Sequence, residues 1–180
     1  MHRLLEKLKK DHLNMVKILN LLSLQLDQFF AGEESDFDLK IELLEYLEVY
    51  AECEHHPLED RLYEAAKVRM GGEHELFERL RSQHEVLGQL TKKFRYSLEY
   101  IMHDGVMPRD ELETQGREFV ALQRQHLSLE EQEAFPLLDQ VMTPGDWEQV
   151  AAEASQHQDP VFDAPDRIRF QLLVDYLEPK

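Results

Sequence analysis

Two segments far apart in the chain, His55-His56-Pro57-Leu58-Glu59-Asp60 and His126-Leu127-Ser128-Leu129-Glu130, each set an imidazole and a carboxylate four residues apart. On a helix, such residues lie on one face, one turn apart. With the single histidines His12 and His84 they make a set of donors that four helices have to bring together. That combination points to metal, and to two ions rather than one.

Helix formers dominate the rest of the chain, glycine and proline are few, and no Val/Ile/Thr-rich alternating run of strand type stands out, so an all-α fold is expected. At 180 residues, 42% hydrophobic and 32% charged, the chain suits one domain with a substantial core. A net charge of -17, with basic residues scattered among more numerous acids, argues against nucleic acid and against an anionic membrane as partners. Cys53 is the only cysteine, which excludes an intrachain disulfide; it reads as a small core residue. The first ten residues are charged throughout and lack a secretory h-region, and Met15 to Leu26 is too short and polar to span a bilayer. A reducing cytoplasm is the expected compartment.

Apolar residues at Leu4, Leu5, Leu8, His12/Leu13, Val16, Leu19, Leu22 and Leu26 recur at three- and four-residue steps and predict a first helix to about Phe30. Gly32 to Asp36 reads as a turn and N-cap. A second helix is expected from about Phe37 to Met70, broken or kinked at Pro57 inside the candidate site. A third runs from about Glu73 to near Asp104-Gly105. A fourth starts after Pro108 and continues to about Met142. Residues 1–142 thus make an up-down-up-down four-helix bundle, and residues 143–180 a short C-terminal helical extension packed on or beside it.

The heights of the candidate ligands along these helices agree. His12 lies about 19 residues before the first turn and His55 about 18 residues into the second helix, and at about 1.5 Å per residue an antiparallel hairpin sets them level. Glu59 and His84 each stand about 11 residues from the turn joining the second and third helices. His84 stands about 20 residues before the last turn, while His126 and Glu130 follow it by about 17 and 21.

Imidazoles and carboxylates are ligands of first-row divalent metals, and one structural zinc does not need so many. Glu59 and Glu130, approaching from opposite sides, suit a bridge between two iron ions, with His12 and His55, or His84 and His126, as terminal ligands. The choice between neighbouring histidines stays open: His55 has the four-residue spacing to Glu59, yet a kink at Pro57 could turn His56 inward with Asp60 as its partner. Taken singly, His12 or His84 on an apolar stripe reads as a structural histidine. His2, His74, His103 and His157 lack a matching carboxylate and read as surface residues. The acidic run Glu130-Glu131-Gln132-Glu133 reads as a solvated face apart from Glu130. Tyr46, Tyr50, Tyr63 and Phe135 read as packing.

The segments Asp11-His12, His55 to Asp60 with Leu62-Tyr63, Gln83-His84-Glu85, and His126 to Glu131 leading to Phe135-Pro136 resemble hemerythrin-like (HHE cation-binding) domain proteins over about residues 1–142. The resemblance implies a four-helix bundle whose two non-haem iron ions bind O2 or a related small molecule, with His12, His55, His56, Glu59, His84, His126 and Glu130 as the metal-site residues. Oxygen-carrying hemerythrin has a His-x-x-x-His pair on its third helix, whereas His84 has Leu80 and Gly88 as its four-residue neighbours. One imidazole fewer implies an open position, and favours reaction with, or sensing of, O2, peroxide or nitric oxide, for storage or detoxification, over reversible carriage. Two alternatives stand beside this: a peroxidase-like oxidoreductase or iron-donating repair protein, and an interaction module stapled by metal, whose tail recruits a partner or a second copy as a homodimer.

Overall fold

In the computed structural model, which describes residues 2–154 and 157–178, every regular element among the described residues is helical. Helix α1 spans Arg3–Phe30, α2 Phe37–Tyr46, α3 His56–Met70, α4 Glu75–Met102, α5 Arg109–Leu129, α6 Phe135–Val141, α7 Pro144–Glu153 and α8 Gln171–Leu177. Two π-helical segments, Leu47–His55 and Glu130–Ala134, join α2 to α3 and α5 to α6 without a break in the helical path. None of these helices is long and apolar enough to cross a membrane.

The prolines explain the π segments. Pro57 and Pro136 each stand at the second residue of the α-helix that follows, so each removes a backbone donor and crowds the carbonyl four residues before it. The chain widens by one residue at each turn there. The His56 amide reaches back to the Ala51 carbonyl and the Phe135 amide to the Glu130 carbonyl, both five residues earlier. The expected break at Pro57 is thus absorbed as a wider turn. At the end of α3, Gly71 adopts φ 82°, a left-handed cap that suits glycine. The third helix begins two residues later than expected, at Glu75.

Side-chain contacts give the direction of each neighbour. Between α1 and α5, Arg109 donates to the Phe29 carbonyl, Arg117 pairs with Asp27, Arg124 donates to Asn20, and Glu131 meets His12, so one helix descends as the other rises. Glu48, Glu52, Asp60 and Glu64 meet Arg95, Thr91, His84 and Arg81 in the same antiparallel order. The core divides into two apolar clusters, one around Ile18, Leu22, Leu43, Phe94 and Phe119, the other around Leu8, Leu62, Tyr63, Phe77 and Phe135. Along each long helical path the switch from one cluster to the other falls at the candidate ligands. On α1 the buried stripe runs through Met15, Ile18 and Leu19; the expected stripe residues Leu13 and Val16 face outward, 64% and 39% exposed.

The tail belongs to the same core. Trp147 and Val150 of α7 pack with Leu4, Leu5 and Leu58, and Val161, Phe170, Leu173 and Val174 pack against α1 and α2. Buried Asp159 fastens the tail, accepting from the Tyr46 hydroxyl at 2.8 Å and from the amides of Val161 and Phe162.

Lys40 is buried among Phe29 and Phe37, its amine held by Ser35 Oγ and the Asp36 carbonyl. Burial lowers its pKa from 10.5 to about 8, against the weaker opposing pull of Asp36. The folded chain therefore binds fewer protons than the unfolded chain between about pH 8 and 10.5, and stability rises with pH across that window. Thermal unfolding of Lys40→Met should show a smaller alkaline rise in Tm than the parent chain; identical pH profiles would contradict the assignment.

Candidate metal centre

All seven residues singled out from the sequence, His12, His55, His56, Glu59, His84, His126 and Glu130, are buried, and they come together in one polar layer between the two apolar clusters. Donor atoms of His56, Glu59, His84 and His126 lie within 4.8 Å of one another, as do those of His12, His55 and Glu59. The Leu47–His55 π segment and the α3 start that follows present both His55 and His56 to the layer.

Each ring points the same nitrogen inward because a polar partner holds the other. His12 Nδ1 meets Glu131 at 3.1 Å, His55 Nδ1 meets Asp11 at 3.1 Å and His56 Nδ1 meets Glu52 at 3.2 Å. His84 Nδ1 meets Asp60, and His126 Nδ1 meets the Gln83 side-chain oxygen, both at 2.9 Å. Such partners fix ring orientation and leave Nε2 free to bind. Asp60, expected beside His56 in one reading, serves His84 instead. Glu131, read as part of a solvated face, is the partner of His12. Glu52 and Gln83 had no role from sequence, although Glu52 stands four residues before His56, the same helical spacing that revealed the other pairs.

Most of the inward atoms lack ordinary hydrogen bonds, the pair His84 Nε2 and Glu130 Oε1, 3.2 Å apart, being the exception. Nε2 of His12, His55, His56 and His126, both oxygens of Glu59 and Oε2 of Glu130 are buried with no hydrogen-bond partner. Yet the two carboxylates approach the imidazoles closely. Glu59 Oε1 lies 3.1 Å from His55 Nε2 and 3.4 Å from His12 Nε2, while its Oε2 lies 3.4 Å from His84 Nε2. Glu130 Oε1 lies 3.2 Å from both His84 and His126, and its Oε2 lies 3.4 Å from His12. Donors at right angles on an ion with bonds of about 2.1 Å sit about 3.0 Å apart, and tetrahedral neighbours about 3.4 Å. The separations are those of atoms sharing a cation, and buried donors without hydrogen bonds are what a cation would satisfy.

The charges reinforce this. Burial pushes the Glu59 and Glu130 carboxyls up, and the Glu130 charge pushes Glu59 further, but the surrounding imidazoles outweigh this and hold both well below the usual carboxylate range. Burial pulls His12 and His84 down, yet the carboxylates raise both well above 6.5. His56 is lowered by burial and then by repulsion from His84, whose ring stacks on it at 4.2 Å. Burial, then the charges of Glu130 and Glu59, push the Tyr63 hydroxyl well up, so it stays neutral and donates to Glu130 Oε1 at 2.7 Å. Cys53 lies on the outer face of the π segment, exposed, its thiol against the Glu48 carbonyl, and is not the core residue expected. His103 and His157 are exposed as expected, while His2 is half-buried, stacked on Trp147, and His74 is half-buried beside Phe77.

Tyr63→Phe removes the hydroxyl donor to a buried carboxylate and should destabilise the chain by about 1–3 kcal/mol. Urea unfolding should show a lower midpoint at unchanged slope; an unchanged midpoint would mean that Glu130 does not need this donor.

The family model of the hemerythrin HHE cation binding domain matches residues 3–138, ending within α6 and including all seven residues of the layer. No curated protein and no solved structure matches the chain. A match over most of the chain, to a family defined by cation binding, agrees with a buried layer whose inward donors mostly lack hydrogen bonds, and the chain belongs to the hemerythrin HHE cation-binding domain family.

Proposed function

We propose that this is a non-haem di-iron protein whose centre binds or reacts with O2, or with peroxide or nitric oxide. The observation that carries the reading is the division of each carboxylate between two groups of imidazoles. His56, His84 and His126 gather with Glu59 Oε2 and Glu130 Oε1, while His12 and His55 gather with Glu59 Oε1 and Glu130 Oε2. These are two sets of mixed nitrogen and oxygen donors bridged twice, a pattern suited to two divalent first-row ions. Iron held there supplies one-electron redox chemistry and an open position for a small molecule.

The chain's own residues favour one side for that small molecule. His56 supplies the imidazole expected to be missing beside His84, so the His84 side carries three rings. The His12 and His55 side has one protein donor fewer, and a cavity of about 280 Å³ lined by Leu13, Val16 and Leu127 reaches His12. Its lining is mainly apolar, with Arg124 set against Glu131, which suits a neutral diatomic better than a hydrated ion. Asp11 and Glu131 hold the two rings on that side, and Tyr63 holds Glu130 from the other. The antiparallel contacts support an up-down-up-down bundle over residues 1–142 with residues 143–180 as its extension. A lone, exposed cysteine fits a cytoplasmic protein.

Elemental analysis of protein made in iron-replete medium should give about two irons per chain, as the ligand count of a di-iron bundle requires. The Glu59→Ala/Glu130→Ala variant should lose both, and the reduced parent protein should change its optical spectrum on exposure to O2. One zinc per chain, untouched by the double substitution, would overturn the reading.

A further inference from the structure

A second cavity reaches the same layer from the opposite side and differs from the first in chemistry. It is a cleft of about 400 Å³ between the Leu47–His55 π segment and α4, and its lining includes Glu52, His56, Asp60, His84, Glu85 and Gly88. Its floor is His56 and His84, whose rings present Nδ1 to the mouth, where Glu52 and Asp60 bind them, and the opposite edge to the layer within. The wall between cleft and centre is therefore one imidazole thick.

We propose that divalent cations reach the buried layer through this cleft, drawn by Glu52, Asp60 and Glu85 at its mouth and admitted because residue 88 is glycine. The inference rests on the metal-centre reading above. The three carboxylates outnumber the one lysine of the lining, Lys92, so the local field attracts positive ions. The cavity beside His12 sets Arg124 against Glu131 among Ser128 and apolar side chains, so it offers cations no comparable net negative field. At Gly88, an added Cβ would lie 3.1 Å from Glu52 Oε2, and a longer side chain would fill the space over His56 and displace Glu52, which Thr91 also holds. Rotation of either ring about its side-chain bonds passes a nitrogen from the mouth to the interior, giving a cation a donor at each stage.

The test follows Co2+ uptake by the metal-free full chain, read from its visible absorption after rapid mixing. Glu85→Lys should slow uptake on the order of tenfold at low salt. The effect should vanish near 1 M salt, where the screening length falls to about 3 Å. Gly88→Leu should slow uptake at both salt concentrations. Both variants should reach the parent's Co2+ stoichiometry at equilibrium. Glu118→Lys makes the same change in net charge on an exposed face of α5 and should load at the parent rate. Parent rates in Glu85→Lys and Gly88→Leu, or equal slowing in Glu118→Lys, would overturn the route. Absence of bound Co2+ in the parent chain at equilibrium would instead overturn the centre itself.

Discussion

Two carboxylates held in an apolar interior are tolerable only with positive charge or protons against them, and the molecule is organised around Glu59 and Glu130 for that reason. Both lie fully buried at the boundary between two apolar clusters, with five imidazoles around them. Each imidazole is in turn held by a carboxylate or amide nearer the surface. Charge alternates outward in shells, and the ordering of one shell depends on the next.

The two π segments make that geometry possible. A regular α-helix through residues 47–57 would have met the Pro57 ring against a carbonyl one turn back. The widened turn removes the clash, and His55 and His56 both meet the layer. The same device recurs before Pro136, starting at Glu130, so one buried carboxylate opens a π segment and the other, Glu59, follows one by a single turn. Local widening of this kind is commonly found where a helix serves a site.

Much of this was legible in the sequence because helical spacing is rigid: i and i+4 pairs at His55/Glu59 and His126/Glu130, and matched heights for His12 and His84, were enough to assemble the layer. Helical spacing alone left the choice between His55 and His56 open, because α-helical counting has no place for an extra residue per turn. The outer partners were harder still. Glu131 and Asp60 are partly exposed, and a carboxylate near the surface has the same composition signature whether it holds a ring or merely faces water. Cys53 was misplaced by its residue type, since cysteine is usually buried, whereas its position on the outer side of the π segment decided the matter. The burial of Val161, Phe170 and Leu173 depends on long-range packing that no local pattern encodes.

The centre thus has two faces. A cleft with three carboxylates and three imidazoles marks one, while two imidazoles and a more apolar cavity, with Glu131 set against Arg124, mark the other. X-ray absorption at the iron edge of the loaded protein tests the central claim most directly, because it counts the imidazoles and detects a neighbouring metal. Five imidazoles shared by two irons, with a metal–metal vector at the short distance that doubly bridging carboxylates impose, is the expected result. Four or fewer imidazoles for the pair, or the lack of a metal neighbour, would contradict the account.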